Sequence, residues 1–178
     1  KSMRNRITIL KEKMLEEKRY ASIEQARIIT RIYKENETLS VPMKRALSLK
    51  AALEEIEIGV EKEELIVGNR PKGQEIDHIS KVVKINQKDH AQGHICPDSA
   101  LWLKYGPQGL LDKINEKQET EFYTCTKLVL EGAITFMKRY HDYIISMPEY
   151  HESDDLKRVA NNCLSLSQRP PKTFHEAV

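Results

Sequence analysis

Hydrophobic residues recur every three or four positions over most of the chain, which predicts a mainly helical protein. Three helices are expected in the first third. The first covers Arg6 to Tyr20, and the second opens at the capping-box signature Ser22-Ile-Glu-Gln25. The third opens at Ser40-Val41-Pro42, because proline is tolerated in a first helical turn. Its inward-facing residues are predicted to be Ala46, Leu47, Leu49, Leu53 and Ile56.

The pattern changes after Gly59. The β-branched run from Glu64 to Gly68 is bounded by charged residues and by a Gly-Asn-Arg-Pro turn signal, which predicts a strand or an extended segment. A second short run, Val82 to Ile85, is predicted to be extended as well. We therefore divide the chain into a helical region at 1–58, extended segments with a loop at 59–100, and a second helical region at 101–178.

The second helical region is predicted to hold a brief turn at Leu101 to Leu103, followed by helices at Leu110–Glu116, Glu119–Met147 and Asp154–Leu166. Pro148 ends the longest of them. Apolar residues that recur every three or four positions predict the buried faces of the helices at Glu119–Met147 and Asp154–Leu166. The inward-facing residues are predicted to be Phe122, Cys125, Val129, Ala133, Phe136, Tyr140 and Ile144, then Leu156, Val159, Ala160, Cys163 and Leu164.

Composition narrows the class of protein. The 178 residues fit one domain, and 39% hydrophobic content is enough for a buried core. A net charge of +2 gives no electrostatic reason to expect nucleic acid or an anionic membrane as partner. No run reaches the ~18 apolar residues of a membrane span. Three cysteines without CxxC spacing predict reduced thiols, so we expect a cytoplasmic protein.

Residues 88–98, KDHAQGHICPD, are dense in possible ligands. His90, His94, Cys96 and Asp98 could bind a metal, but Gly93 and Pro97 disfavour the continuous helix that would align the two histidines. A solvated loop without a role is a second interpretation, and a loop that contacts a substrate is a third. The sequence alone leaves these three open.

The last residues predict the start of a further helix. Two prolines are followed by Thr173-Phe-His-Glu176, the Thr-x-x-Glu pattern that caps a helix. One helical turn is not stable in isolation, so the pattern predicts that sequence is missing after it. The alternative is a frayed tail with a chance match. His175, like His141, is interpreted as a surface residue or a satisfied core residue.

Five segments in order carry a resemblance. They are Ser22–Thr30 (SIEQARIIT), Arg45-Ala-Leu47, Glu63–Asn69 (EELIVGN), Gly93-His94 and Pro170–Ala177 (PPKTFHEA). Together they resemble the N-terminal part of glycyl radical enzymes, the pyruvate formate-lyase-like group, and are closest to its diol and polyol dehydratase members. Members of that family are several hundred residues long, so we expect the sequence to be incomplete at its C-terminus. They also carry several tens of residues between Gly68 and Val82, where about a dozen stand here. The sequence therefore has a deletion at this point, omits residues there, or comes from a divergent relative, and these three explanations stay open.

The resemblance implies a mainly α chain that is the N-terminal helical portion of a larger α/β barrel. The barrel would hold a glycyl radical, which an S-adenosylmethionine iron–sulfur activating enzyme installs, and a thiyl cysteine. The nearest match to the radical motif, Arg158-Val-Ala-Asn161, has asparagine in place of glycine, and no cysteine is followed two positions later by the family's glutamate. We therefore expect no catalytic residue, metal or directly bound cofactor in this chain.

Its role would be to contact a small polar substrate. By resemblance His94 bonds a substrate hydroxyl, Asn86 lines the same cavity, and His90 is a weaker third candidate. Full length, the protein would be an anaerobic, homodimeric lyase or dehydratase, or formate acetyltransferase-like, that cleaves a C–O, C–N, C–S or C–C bond; the isolated chain would be inactive. The alternatives are a non-catalytic helical interaction or regulatory module derived from that family, and a small metalloprotein using His90, His94 and Cys96.

Overall fold

A computed structural model describes residues 3–16, 24–68 and 97–177. Within these ranges every regular element is a helix, so the prediction of a mainly α chain is confirmed. A short 3-10 turn at Tyr150–Glu152 joins the fifth and sixth helices. The helices are α1 Met3–Glu16, α2 Glu24–Glu35, α3 Val41–Glu55, α4 Ser99–Asn115, α5 Glu121–Ser146, α6 Asp154–Gln168 and α7 Phe174–Ala177.

Side-chain caps explain where several helices begin. Ser40 accepts a hydrogen bond from the Met43 backbone N–H at 3.3 Å, with Pro42 in the first turn, as predicted. Thr120 caps α5 and Ser153 caps α6 in the same way. Each cap satisfies a backbone donor that the helix leaves unpaired.

The longest helix, α5, is the centre of the packing, because α3, α4 and α6 all contact it. Gly132 makes the contact with α3 close: a Cβ at this position would lie 3.0 Å from the Lys50 Cα. Small residues line the α3 side of this region, where Ala46, Ser48, Ala51 and Ala52 are buried. Close approach of two helix backbones requires such small side chains, which is why the larger ones lie elsewhere.

Two groups of buried side chains form the core. One joins α2 and α3 through Ile28, Ile32, Ala51 and Ala52. The other lies between α5 and α6; its members are Val60, Tyr140, Ile144, Leu156, Val159, Ala160 and Cys163. The inward face predicted for the last long helix is thus confirmed at Leu156, Val159, Ala160 and Cys163, whereas Leu164 is half-buried.

Two predicted core positions are wrong. Leu49 is 42% exposed, because the buried face of α3 is the one that carries its small residues. Phe122 is 71% exposed, since it lies in the first turn of α5, away from both buried groups. Periodicity located helices α3 and α5 but did not predict that these two side chains are exposed.

The boundaries also differ in two places. The predicted turn at Leu101 to Leu103 is instead the first part of α4, which continues to a kink at Gly106. The segment from Glu64 to Gly68 contains bends rather than a β-strand, and no described residue pairs with it as a strand. Of the two predicted alternatives, a strand or an extended segment, the strand is not found among the described residues. Val82 to Ile85 lies outside the described residues.

In the parts of the chain that the structure describes, no helix is both long enough and apolar enough to cross a membrane.

Candidate functional site

The three substrate contacts inferred from the sequence, Asn86, His90 and His94, lie outside the described residues, as does Cys96. Asp98, the last member of the hypothetical metal site, is described. Its carboxylate accepts a hydrogen bond from the Leu101 backbone N–H at 2.9 Å and so caps α4. Across the described ranges, no three His, Cys, Asp or Glu side chains cluster as metal ligands would.

A cavity of about 270 Å³ opens between four parts of the fold. Helices α5 and α6 form its floor, the kinked helix α4 forms one side, and two irregular segments, 65–68 and 169–177, form the others. We call residues 169–177 the C-terminal strap. The cavity lies against the core between α5 and α6 and shares Tyr140, Val159 and Cys163 with it.

The floor of the cavity is apolar and aromatic. The rings of Phe136 and Tyr140 pack edge to face, with centroids 5.0 Å apart. Burial raises the pKa of the Tyr140 phenol, and it raises the pKa of the Cys163 thiol to about 11. Cys163 is therefore a protonated core thiol at neutral pH, as predicted, and not an activated nucleophile.

Two charged residues of the strap bind each other. Arg169 donates to both carboxylate oxygens of Glu176, at 2.7 and 3.0 Å, a bidentate pair. The same carboxylate accepts from the Lys172 backbone N–H at 2.5 Å. These donors, Arg169 first, lower the pKa of Glu176 to about 2. The Glu176 side chain is only 9% exposed, so its charge is neutralised inside the protein rather than presented to a ligand.

His175 connects the strap to the opposite side of the cavity. Its Nε2 lies 2.7 Å from the Leu65 carbonyl oxygen, which can only accept, so Nε2 carries the hydrogen. Its Nδ1 lies 3.4 Å from the Asn162 amide nitrogen on α6. Both ring nitrogens thus face protein partners, which makes His175 the satisfied residue that the sequence suggested.

The kink in α4 accommodates the strap. Gly106 has φ +63° and ψ 176°, and a Cβ there would lie 3.0 Å from the Pro170 nitrogen and 3.1 Å from the Arg169 carbonyl. Pro107 follows and restarts the helix, since proline is compatible with a first helical turn. Only glycine fits this conformation at this distance from the strap backbone.

One feature of the strap, the cap of its short helix, was predicted from the sequence. The Thr173-x-x-Glu176 pattern does cap α7: the Thr173 hydroxyl accepts from the Glu176 backbone N–H at 3.2 Å. The contact between His175 and Leu65 was not predicted, because the two residues are 110 positions apart and no local sequence pattern joins them. The pairing of Arg169 with Glu176 was not predicted either. The polar residues Arg169, His175 and Glu176 that line the cavity bond protein groups around it.

Comparison with known proteins gives the family. The family model for pyruvate formate lyase-like proteins matches residues 3–78 and 73–178, which together span nearly the whole chain. The fold is similar to the glycerol-bound B12-independent glycerol dehydratase of Clostridium butyricum, with 21% identity over 97% of this chain and a TM-score of 0.77. It also resembles a glycyl radical enzyme of Archaeoglobus fulgidus (20% identity over 97% of this chain, TM-score 0.75) and a protein of Roseburia inulinivorans whose structure concerns 1,2-propanediol dehydration (17% over 99%, TM-score 0.76).

These three proteins are about three times longer, since the match covers 32% of each of them. The resemblance that the five sequence segments suggested is confirmed, and so is a fold that is helical and amounts to part of a larger enzyme. The chain belongs to the pyruvate formate lyase-like family of glycyl radical enzymes.

Proposed function

We propose that the chain is the N-terminal part of a glycyl radical dehydratase or lyase that cleaves a C–O, C–N, C–S or C–C bond of a small polar substrate. The observation that carries this is the family match over residues 3–78 and 73–178. Two of its structural neighbours are described by the dehydration of glycerol and of 1,2-propanediol, which supports a polar, hydroxyl-bearing substrate for this proposal. At 17 to 21% identity these neighbours show the fold of this chain and not its substrate.

The reacting groups would lie in the rest of the enzyme. Arg158 to Asn161, the nearest match to a radical motif, lies inside helix α6, where Arg158 pairs with Asp155. Cys125 is half-buried in α5 and Cys163 is buried in the core of α6, and Lys127 and Ser165 stand where the family has its glutamate. We expect the radical to be installed by an S-adenosylmethionine iron–sulfur activating enzyme, and the full-length protein to be a cytoplasmic homodimer.

On this proposal the substrate contacts within the chain are His94, Asn86 and His90. The imidazole of His94 suits contact with a substrate hydroxyl group, because it can donate to or accept from that group and can move a proton near neutral pH. Asn86 offers a neutral amide with both a donor and an acceptor. Neither group would carry the radical; they would orient the substrate for hydrogen-atom abstraction by a thiyl group elsewhere.

The test is His94→Ala in the natural protein that contains this chain, activated without oxygen. We expect turnover to fall by about 100-fold or more, as for loss of a group that positions or protonates the reacting hydroxyl. The melting temperature should stay unchanged. His151→Ala is the matched control, because His151 is an exposed histidine on the short turn before α6. Equal kinetics of the His94 variant and the control would remove His94 from the site.

A further inference from the structure

Helix α1 encloses a charged side chain better than two of its apolar ones. Ile7 is 58% exposed and Leu15 is 73% exposed, whereas the Arg6 side chain is 18% exposed. A charged group that is withdrawn from water in this way needs partners that offset the loss of hydration. The contacts of Arg6 can therefore orient α1 on the rest of the fold, alongside the half-buried Ile9 and Leu10.

Arg6 binds two carboxylates that belong to different parts of the fold. Its Nη2 donates to Oδ2 of Asp155, which lies 149 positions away in the first turn of α6. Its Nε lies 3.6 Å from Oε2 of Glu63, in the segment that follows α3, and the Glu63 side chain is 12% exposed. One residue of α1 thus pairs with two segments that are distant from it in sequence.

Asp155 is shared between two arginines. Arg158, one turn further along α6, donates to Oδ1 at 2.7 Å, while Arg6 donates to Oδ2. The hydrogen bond from Arg6 is the main cause of a lowered pKa of Asp155, so this carboxyl is charged in the fold. We call Arg6, Glu63, Asp155 and Arg158 the Arg6 cluster.

The two contacts of Asp155 differ in what they can hold together. The pair with Arg158 lies within one helix at a side chain that is more than half exposed, and such pairs contribute little to stability. The pair with Arg6 joins two helices and is partly enclosed. Loss of either partner would leave the other charge withdrawn from water without compensation, which is costly.

We propose that the Arg6 cluster docks α1 on the fold, with the pair of Arg6 and Asp155 as its principal contact. When this pair is lost, α1 opens as a separate unit while α5 and α6 stay folded. A helix of 14 residues is only marginally stable by itself in water, so α1 loses its backbone hydrogen bonds when it undocks. The cluster thus sets how often α1 separates from the other helices, and this role does not depend on the proposed function.

Hydrogen–deuterium exchange of the natural protein, followed by mass spectrometry, measures this opening in the peptide of residues 3–16. We expect Arg6→Gln and Asp155→Asn each to raise exchange of that peptide about tenfold or more, the effect of one lost hydrogen bond between charged groups. Both changes remove the same contact, so the double variant should exchange like Arg6→Gln alone, because their effects are coupled. Peptides of α5 should keep the wild-type rate in all three variants.

Asp154→Asn is the matched control. Asp154 precedes Asp155 in the same first turn of α6, is fully exposed and pairs with Lys157 of the same helix. Its substitution removes the same charge from the same helix end and should leave exchange of α1 unchanged. Arg158→Gln, which removes the other partner of Asp155, should leave it unchanged as well.

Unchanged exchange of residues 3–16 in Arg6→Gln or in Asp155→Asn would overturn the proposal. Effects that multiply in the double variant would overturn it too, since the two residues would then act separately. An equal rise in the peptides of α5 would mean that the cluster stabilises the whole fold instead of docking α1. If Arg6→Gln does not fold, the comparison of Asp155→Asn with Asp154→Asn decides: an equal rise in both would assign the effect to the start of α6 and refute the docking role.

Discussion

At the scale of single residues, Gly106 is restricted both in its backbone conformation and in the space around it. Its φ of +63° and ψ of 176° belong to a region that side chains with a Cβ avoid, and the strap backbone leaves no room for one. Two independent restrictions, conformation and space, therefore coincide at the residue where α4 bends. The strap can lie this close to α4 only because residue 106 has no Cβ.

Gly106→Ala should therefore destabilise the protein by about 1–3 kcal/mol, the cost of a residue forced into such a conformation. Denaturant unfolding measures the change in free energy of unfolding. Gly59→Ala is the matched control, because no atom lies within 4 Å of a Cβ built at Gly59. If the two variants were equally stable, the close contact between α4 and the strap would be refuted.

Glu176 gives the strap a defined dependence on pH. The pKa of this carboxyl is lowered to about 2 in the fold from an ordinary value of 4.5. A lowered pKa stabilises the folded state above the unfolded-state value, and this stabilisation is lost as pH falls towards the folded-state value. We expect the free energy of unfolding to decline between about pH 4.5 and pH 2 through this group.

Glu176→Gln should remove that part of the decline, as measured by denaturant unfolding at a series of pH values. Glu119→Gln, at an exposed glutamate before α5, serves as the control and should leave the profile of the wild type. A Glu176→Gln profile that follows the wild type through the whole window would contradict the assignment of the lowered pKa to the Arg169 pair.

At the scale of elements, the contact between α3 and α5 is reinforced at the end of α3. The last carbonyl groups of a helix have no partners within it. Arg139 of α5 donates to two of them, the Leu53 oxygen at 2.8 Å and the Ile56 oxygen at 2.6 Å. One guanidinium thus satisfies two carbonyl groups at the C-terminal end of α3 and joins this helix to α5. Its positive charge also interacts favourably with the negative end of the helix dipole.

Arg139→Ala should cost about 1.5–3 kcal/mol of stability, the range for hydrogen bonds to a charged group. Arg139→Lys should recover only part of it, since one ammonium cannot reproduce the planar fork. Thermal unfolding provides the measurement, with the exposed neighbour Lys138→Ala as control. Full recovery in Arg139→Lys would show that charge alone, and not the two-point contact, joins the helices.

Helix positions were predictable from sequence because their signals are local. Caps such as Ser40 and Thr173 act on a backbone N–H three residues away, and apolar periodicity reports the buried face of α6 directly. The exposure of Leu49 and the bends at 64–68 were not predictable, because they depend on which helix or strand packs opposite. The cavity was missed for the same reason: it is assembled from segments up to 110 residues apart, such as Leu65 and His175.

At the scale of the whole molecule, the match to this chain covers 32% of the length of each of the three solved structures with a similar fold. Several large apolar residues are exposed on these helices, among them Trp102, Phe122 and Phe174. A chain of this kind supplies helices and, on the proposed function, substrate contacts, whereas radical chemistry needs an enclosing barrel that keeps water from the reaction. On the proposed function, catalysis would take place in the complete enzyme and not in the isolated 178 residues.

The decisive test of the proposed function is electron paramagnetic resonance of the natural protein after anaerobic activation by its own activating enzyme. We predict an organic radical signal centred on glycine, which narrows when the protein is made with α-deuterated glycine because the coupling to the Cα hydrogen is lost. The isolated 178-residue chain should give no such signal under the same conditions. Absence of the radical from the natural protein, while the activating enzyme cleaves S-adenosylmethionine, would contradict the proposed function and favour the alternative of a non-catalytic helical module.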